Sequence, residues 1–223
     1  MKEIKNINRY IDHTLLKADA TPDDIKKLCD EARKYNFYSV CVNSCNVELA
    51  ATQLENSPVK VACVVGFPLG AVETSAKAYE ADTACAKGAD EIDMVMNIGA
   101  MKAGDYEAVL DDMATVASMV YDNDAILKVI LETCLLSDAE IVKACKLAVE
   151  AQVDFVKTST GFSTGGATVA NVRLMRQAVG DQCKIKASGG IHDYATAAAL
   201  IEAGADRIGA SASIAIVQGA PAK

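Results

Sequence analysis

Two lysines stand inside apolar stretches of the sequence, where a charged side chain is costly unless it is paired or faces a cavity. Lys157 follows Phe155 and Val156, and Lys186 comes two residues before Ser188. An amine attacks a carbonyl group only in its neutral form, and both burial and a neighbouring cation lower the pKa of a lysine. The pair therefore indicates Schiff-base chemistry, although the spacing does not show which lysine is the nucleophile.

Carboxylates in similar surroundings would complete this chemistry. Asp93 lies in another apolar stretch, and an acid there can shuttle protons while a carbinolamine loses water. Two plainer interpretations stay open. Lys184, and also Lys128, can be solvated at strand ends, and a salt bridge to Asp93 or Glu132 can explain a buried lysine without catalysis.

Glycine-rich segments near the predicted ends of two strands form a second signal. They occupy residues 188–191 and 209–211. Barrel enzymes often bind phosphate with the loops after their seventh and eighth strands, where backbone amides serve as donors. Thr158 and Gly161 add a hydroxyl group and an amide close to Lys157. Ordinary glycine turns and an ordinary strand-to-loop exit are the alternative interpretations.

The elements that must position these residues follow a regular alternation. Eight strand-like apolar runs are predicted at 10–14, 38–43, 60–67, 91–97, 127–133, 155–160, 184–189 and 207–211. Helical spacing of apolar residues marks 73–87, 105–121 and 193–203 between them. Eight βα units favour an α/β fold of the (β/α)8 TIM-barrel type over an open sheet, with the active site at the carboxyl ends of the strands. We expect residues 1–223 to form a single catalytic domain.

Local signals support several of these boundaries. Thr21 precedes a proline, and Ser137 precedes a glutamate by three residues, as at the amino-terminal caps of helices. The sequences at 88–92 and 204–208 are nearly the same, and each begins with the glycine that ends a helix. The related segment at 151–155 has Gln152 in that place, so a slightly strained turn is predicted there.

Composition limits the function further. The net charge of -8 argues against nucleic acid as a partner, which needs clustered basic residues. Eight cysteines without a C-x-x-C pair, and only two histidines, predict free thiols and no metal site. Residues 1–6 lack an apolar leader and no run is long enough to span a membrane. A cytoplasmic protein without a membrane partner is expected, with a homodimer as the candidate assembly.

Six segments, in order along nearly the whole chain, resemble the deoxyribose-phosphate aldolase family. They are IDHTLLK at 11–17, VVGFPLG at 64–70, EIDMV at 91–95, KVILET at 128–133, FVKTSTGF at 155–162 and KASGGI at 186–191. The resemblance implies a reversible cleavage of 2-deoxyribose 5-phosphate into glyceraldehyde 3-phosphate and acetaldehyde. It implies no cofactor, because an iminium ion is the electron sink.

The resemblance also implies residue roles. Lys157 is the Schiff-base lysine, Lys186 lowers its pKa, and Asp93 is the acid/base partner. The residues that would bind the phosphorylated sugar and the aldehyde are Asp12, Thr14, Thr158, Gly161, Gly189, Gly190 and Ser211.

This chain departs from the family pattern at two places near the expected site. Asn43 is followed by Ser44 and Cys45 instead of proline, and His192 stands where arginine is common. Two other functions stay open from the residues alone. A sugar-phosphate isomerase or epimerase would use a glutamate base or a metal, and a non-catalytic sugar-phosphate binder would need neither lysine.

Overall fold

Eight parallel strands pair in chain order and close on themselves, β8 pairing with β1. The computed structural model describes residues 4–221. The strands are β1 Ile11–Thr14, β2 Ser39–Asn43, β3 Lys60–Val65, β4 Glu91–Val95, β5 Ile126–Ile130, β6 Phe155–Lys157, β7 Lys184–Ser188 and β8 Arg207–Ala210. The predicted (β/α)8 barrel is confirmed. Most predicted strands extend one to three residues too far at their carboxyl ends, where the chain turns into the loops.

Helices connect the strands on the outside of the barrel. They are α1 Pro22–Tyr35, α2 Val47–Gln53, α3 Thr74–Ala86, α4 Ile98–Ala103, α5 Tyr106–Asp122, α6 Asp138–Glu150, α7 Val169–Val179, α8 Tyr194–Glu202 and α9 Ser213–Gln218. Short 3-10 helices cover Ile7–Tyr10, Ser44–Asn46 and Thr133–Leu135. None of the described helices is long and apolar enough to cross a lipid bilayer.

The helix starts follow the sequence signals closely. Thr21 and Ser137 both form capping boxes, with Asp24 and Glu140 as the reciprocal partners. Each box satisfies two amide donors that the first helical turn leaves free. At the opposite end of a helix, Gln152 adopts the left-handed conformation with φ 58°. The predicted strained turn is therefore present, in the place that glycine holds in the two related segments.

The hydrophobic core lies between the barrel wall and the helices. It is built from buried aliphatic side chains of every strand, such as Ile11, Val42, Ile92, Val129 and Ile185, all fully buried. Branched aliphatic residues suit strands that are covered on their outer face by helices. The inner face of the barrel is different, because several of its buried residues are charged.

Candidate active site

The loops at the carboxyl ends of the strands surround a cavity of about 410 Å³. Segments after β1, β6, β7 and β8 form its walls, and the end of β6 forms part of its floor. The lining residues are Thr14, Leu15, Leu16, Lys17, Lys157, Thr160, Gly161, Phe162, Ser188, Gly189, Gly190, Ile191, His192, Gly209, Ala210 and Ser211. The cavity is thus where a barrel enzyme binds its substrate.

Most of the predicted substrate-binding residues line this cavity, but two do not. Thr14, Gly161, Gly189, Gly190 and Ser211 line it, together with Lys157. Asp12 and Thr158 are fully buried and lie outside the lining.

The places of Asp12 and Thr158 outside the cavity lining have physical reasons. Thr158 directly follows Lys157, and neighbouring residues of an extended segment face opposite ways. Its hydroxyl group donates to the carbonyl of Ser188 at 3.1 Å and accepts from the Ser188 amide at 3.0 Å, so it fastens one loop to the next strand. Asp12 lies beneath the cavity and is paired with cations.

Lys157 and Lys186 are side by side. They are direct partners in the register of β6 and β7. The Nζ atoms of Lys157 and Lys186 lie 2.8 and 2.7 Å from the same oxygen, Oδ2 of Asp93. Lys157 is the member of this group that reaches the cavity, whereas Lys186 and Asp93 are enclosed below it. Lys157 is therefore the lysine that a substrate in the cavity can reach. The sequence alone does not distinguish the two lysines in this way.

Beneath Lys157, six buried charged side chains form a closed ring in which carboxylates and cations alternate. Neighbouring charged atoms are between 2.5 and 3.1 Å apart. The members of this charge ring, in order, are Glu91, Lys128, Asp93, Lys186, Asp12 and Arg207, which contacts Glu91 again. Each charge has two opposite neighbours, which offsets much of the cost of desolvating it.

The alternation fixes the charge state of the ring. Although burial acts to raise them, the pKa values of Asp12 and Asp93 are lowered by the surrounding ammonium and guanidinium groups. Burial likewise acts to lower the pKa values of Lys128, Lys186 and Arg207, yet the carboxylates hold all three above their ordinary values. These five groups are therefore ionised at neutral pH.

Lys157 differs from the cations of the ring. Its pKa is lowered, chiefly by burial; Asp93 acts to raise the pKa, and the charged Lys186 acts to lower it. A lower pKa increases the fraction of neutral amine at a given pH. The arrangement thus supplies a lysine that can be a nucleophile, with a carboxylate within reach of its protons.

Two sequence interpretations of other charges are settled by the same geometry. Lys184 is exposed at the start of β7, as solvation at a strand end predicts. The same interpretation is wrong for Lys128, which is fully buried because the barrel closes around it. Glu132 does not pair with Lys157. Its carboxylate instead accepts hydrogen bonds from the amide and hydroxyl of Thr160, a cavity residue.

One end of the cavity is formed by glycine loops. The amide of Ala167 donates to the carbonyls of Ser188 and Gly189, both at 3.0 Å, which fastens the loop after β6 to the loop after β7. A Cβ atom at Gly166 would stand 2.2 Å from the Gly189 oxygen, so only glycine allows this approach. Within the described chain the amides of Gly189 and Gly190 donate to no backbone carbonyl. They remain available to an anion.

Sequence reasoning missed several residues of this site. Lys17 was not among the predicted site residues, whereas His192 was expected near the site. With Lys157 they are the titratable side chains of the lining, all of whose residues the structure describes. Glu91 and Arg207 complete the charge ring. The alternation of β4 was a signal for Glu91, since residues two apart in a strand share a face, and Glu91 stands two residues before Asp93.

Among residues 4–221, no group of three or more His, Cys, Asp or Glu side chains is placed to hold a metal ion.

A closed barrel with a cavity at the carboxyl ends of its strands, and a buried lysine of lowered pKa at that cavity, is the arrangement of a (β/α)8-barrel enzyme. Comparison with known proteins identifies the family. Residues 7–219 match the family described as DeoC/LacD family aldolase. The chain belongs to this family, so the resemblance found from the six segments is confirmed.

Individual relatives agree with this assignment. A deoxyribose-phosphate aldolase of Finegoldia magna is 60% identical over 213 residues, which are 96% of this chain and 99% of the relative. A solved structure described as QR15, an aldolase, superposes with a TM-score of 0.92 at 41% identity and covers 96% of both chains. A tetrameric deoxyribose phosphate aldolase of Aeropyrum pernix has a TM-score of 0.90 at 31% identity, covering 95% of this chain and 89% of that one.

Proposed function

We propose that this protein catalyses the reversible cleavage of 2-deoxyribose 5-phosphate into glyceraldehyde 3-phosphate and acetaldehyde, through a Schiff base on Lys157. The observation that carries the proposal is the place of Lys157, which lines the cavity with its Nζ atom 2.8 Å from Oδ2 of Asp93. Burial lowers the pKa of this lysine, which favours the nucleophilic form. Family membership supports the aldolase activity. The name of the Finegoldia magna relative supports the substrate.

The steps follow from where the charged groups lie. The neutral amine of Lys157 attacks the aldehyde carbon of the open-chain sugar, and Asp93 accepts the proton that the nitrogen loses. The carbinolamine takes up a proton and releases water, which leaves an iminium ion. The bond between C2 and C3 then breaks, its electrons form the enamine, and the proton of the C3 hydroxyl is released. Protonation of the enamine and addition of water return acetaldehyde and Lys157.

The phosphate group would bind at the glycine loops. Gly161, Gly189, Gly190 and Ser211 line one part of the cavity, and His192 adjoins them. Free backbone amides are good donors to phosphate oxygens and do not require a fixed positive charge. This end of the cavity also accounts for a phosphorylated substrate in a protein whose net charge is -8.

The other two functions considered from the sequence fit the cavity less well. The isomerase or epimerase considered from the sequence would use a glutamate base or a metal, but no carboxylate is among the lining residues, all of which the structure describes. A non-catalytic binder would need the glycine loops alone. Neither function requires a covalent bond to Lys157.

Reductive trapping tests the Schiff base directly. Borohydride added with acetaldehyde is expected to attach one ethyl group to the protein, because reduction of the imine makes a stable secondary amine. Peptide mass spectrometry should locate the group on Lys157. Labelling confined to surface lysines, with activity retained, would exclude Lys157 as the nucleophile.

The phosphate site predicts a preference between two sugars. 2-Deoxyribose should have a kcat/KM lower than that of its 5-phosphate by at least about 10-fold, since one hydrogen bond to a charged group contributes about 1.5–3 kcal/mol. Ser211→Ala should lower kcat/KM for the phosphorylated sugar and leave the value for the free sugar unchanged. Steady-state kinetics with both sugars measures this, and equal values in the wild-type protein would contradict the proposed phosphate site.

We also propose that the chain is a single cytoplasmic catalytic domain that self-associates, at least into a homodimer. The eight cysteines, all free, support a reducing compartment. Leu69, Val72 and Tyr79 expose apolar surface where β3 leads into α3. Light scattering on the purified protein is expected to give at least twice the chain mass of 23.4 kDa. A monomer at micromolar concentration would contradict the assembly.

A further inference from the structure

Glu91 and Arg207 are the two members of the charge ring that stand first in their strands. Glu91 begins β4 and Arg207 begins β8, so both are near the amino-terminal end of the barrel. Both are buried, and the guanidinium group of Arg207 lies 3.4 Å from the centre of the Tyr38 ring. Residues at this end of a barrel usually serve stability and not chemistry.

The charge ring contains three carboxylates and three cations, and it is balanced without Lys157. Lys157 contacts the ring only through Asp93. In its protonated form it is therefore a seventh, surplus charge in a buried cluster, and a surplus charge is costly in such surroundings. The neutral amine is the form of Lys157 that leaves the cluster balanced.

We propose that Glu91 and Arg207 are positioning residues for the reaction, because they close the charge ring and so make the neutral amine of Lys157 the charge-balanced state. This inference rests on the proposed Schiff-base function. It extends the set of residues that serve the reaction to the first residues of β4 and β8. Both residues act through other members of the ring, since neither touches the cavity.

The charged and titratable groups around this cluster enter the balance, among them the Tyr38 phenol that packs on Arg207 and the exposed Lys60 near Glu91. The buried groups of the barrel strands are Asp12 of β1, Cys41 of β2, Glu91 and Asp93 of β4, Lys128 of β5, Lys157 of β6, Lys186 of β7 and Arg207 of β8. Burial raises the pKa of the Cys41 thiol, so this group stays neutral and does not alter the count.

Variants of opposite charge test the inference. Arg207→Met leaves the ring with a surplus negative charge, which should move the pH midpoint of single-turnover Schiff-base formation upward. Glu91→Gln leaves a surplus positive charge and should move the midpoint downward. Each shift should be on the order of one pH unit, the effect of a unit charge roughly 10 Å away at an effective dielectric constant of about 20. The double variant should return the midpoint to the wild-type value.

Two controls separate this role from a purely structural one. Arg207→Lys keeps the cation and should keep the midpoint, although it loses the paired hydrogen bonds of the guanidinium group. If the single variants do not fold, the inference is tested with the charge-balanced double variant and with Arg207→Lys. A shifted pH midpoint of Schiff-base formation in either of them contradicts the inference. Midpoints that move in the same direction in both single variants, or not at all, also overturn it.

The failure of this inference is distinct from the failure of the proposed function. Trapping of wild-type protein with acetaldehyde and borohydride at Lys157 tests the function alone. If trapping succeeds while the midpoints of the charge variants stay unshifted, Glu91 and Arg207 are structural residues. If wild-type protein is not trapped at Lys157, both proposals fail.

Discussion

Lys157→Met is expected to lower turnover by at least about 10³-fold, because loss of a covalent nucleophile removes the whole pathway that depends on it. The same change should leave the free energy of unfolding unchanged or raise it by up to about 2 kcal/mol, as replacement of buried ionic groups by apolar ones often does. Asp93 keeps its contacts with Lys128 and Lys186 in this variant. No carboxylate is therefore left unpaired.

The gain in stability should depend on pH in a defined direction. The pKa of Lys157 in the folded protein is below its ordinary value of 10.5. A group of this kind destabilises the folded state fully at pH values below the folded pKa, and the effect disappears above the unfolded pKa. Urea unfolding of both proteins should thus show a larger difference at pH 7 than above pH 10.5. A clear loss of stability at pH 7 would show that Lys157 supports the fold.

Asp93→Asn should produce the opposite result for stability. Turnover is expected to fall by about 10²-fold or more, the usual contribution of a positioned proton-transfer group. The free energy of unfolding should also fall, by about 3–5 kcal/mol, because removal of one partner leaves buried charges uncompensated. Three ammonium groups contact this carboxylate, from Lys128, Lys157 and Lys186.

Asp112→Asn is the matched control for this loss. Asp112 is buried and lies 2.7 Å from the ammonium group of Lys77, outside the cavity. Its replacement should lower the free energy of unfolding, yet the folded protein should keep its turnover and its pH profile. Measurements of kcat and of urea unfolding on both variants separate the two roles. Near-wild-type turnover in Asp93→Asn would reduce Asp93 to a structural partner.

The fold could be predicted from the sequence because its signals are local. Each strand is a short apolar run, and each helix carries its own spacing and caps, as at Thr21 and Ser137. Eight alternating units left few arrangements other than a closed barrel. The sequence also singled out Lys157, Lys186 and Asp93 as candidate site residues, because charges inside apolar runs are rare.

The charge ring could not be predicted, because it depends on distances across the barrel. Closure and the stagger of the strands bring the start of β8 next to β1 and β4, and no local pattern encodes that stagger. Arg207, at a strand start, therefore looks like a solvated residue in the sequence, as Lys128 does. The place of Thr158 outside the lining follows from strand alternation, which puts its side chain on the opposite side from Lys157.

The contact between Gly166 and Gly189 has a consequence for redesign of the pocket. The loops after β6 and β7 approach so closely there that a single methyl group has no room. This contact fixes the shape of the proposed phosphate site, so we expect binding to require little ordering of the chain. Engineers who wish to admit acceptors without a phosphate should vary the side chains at Ser211 and His192, because these change the pocket's chemistry while its backbone frame stays intact.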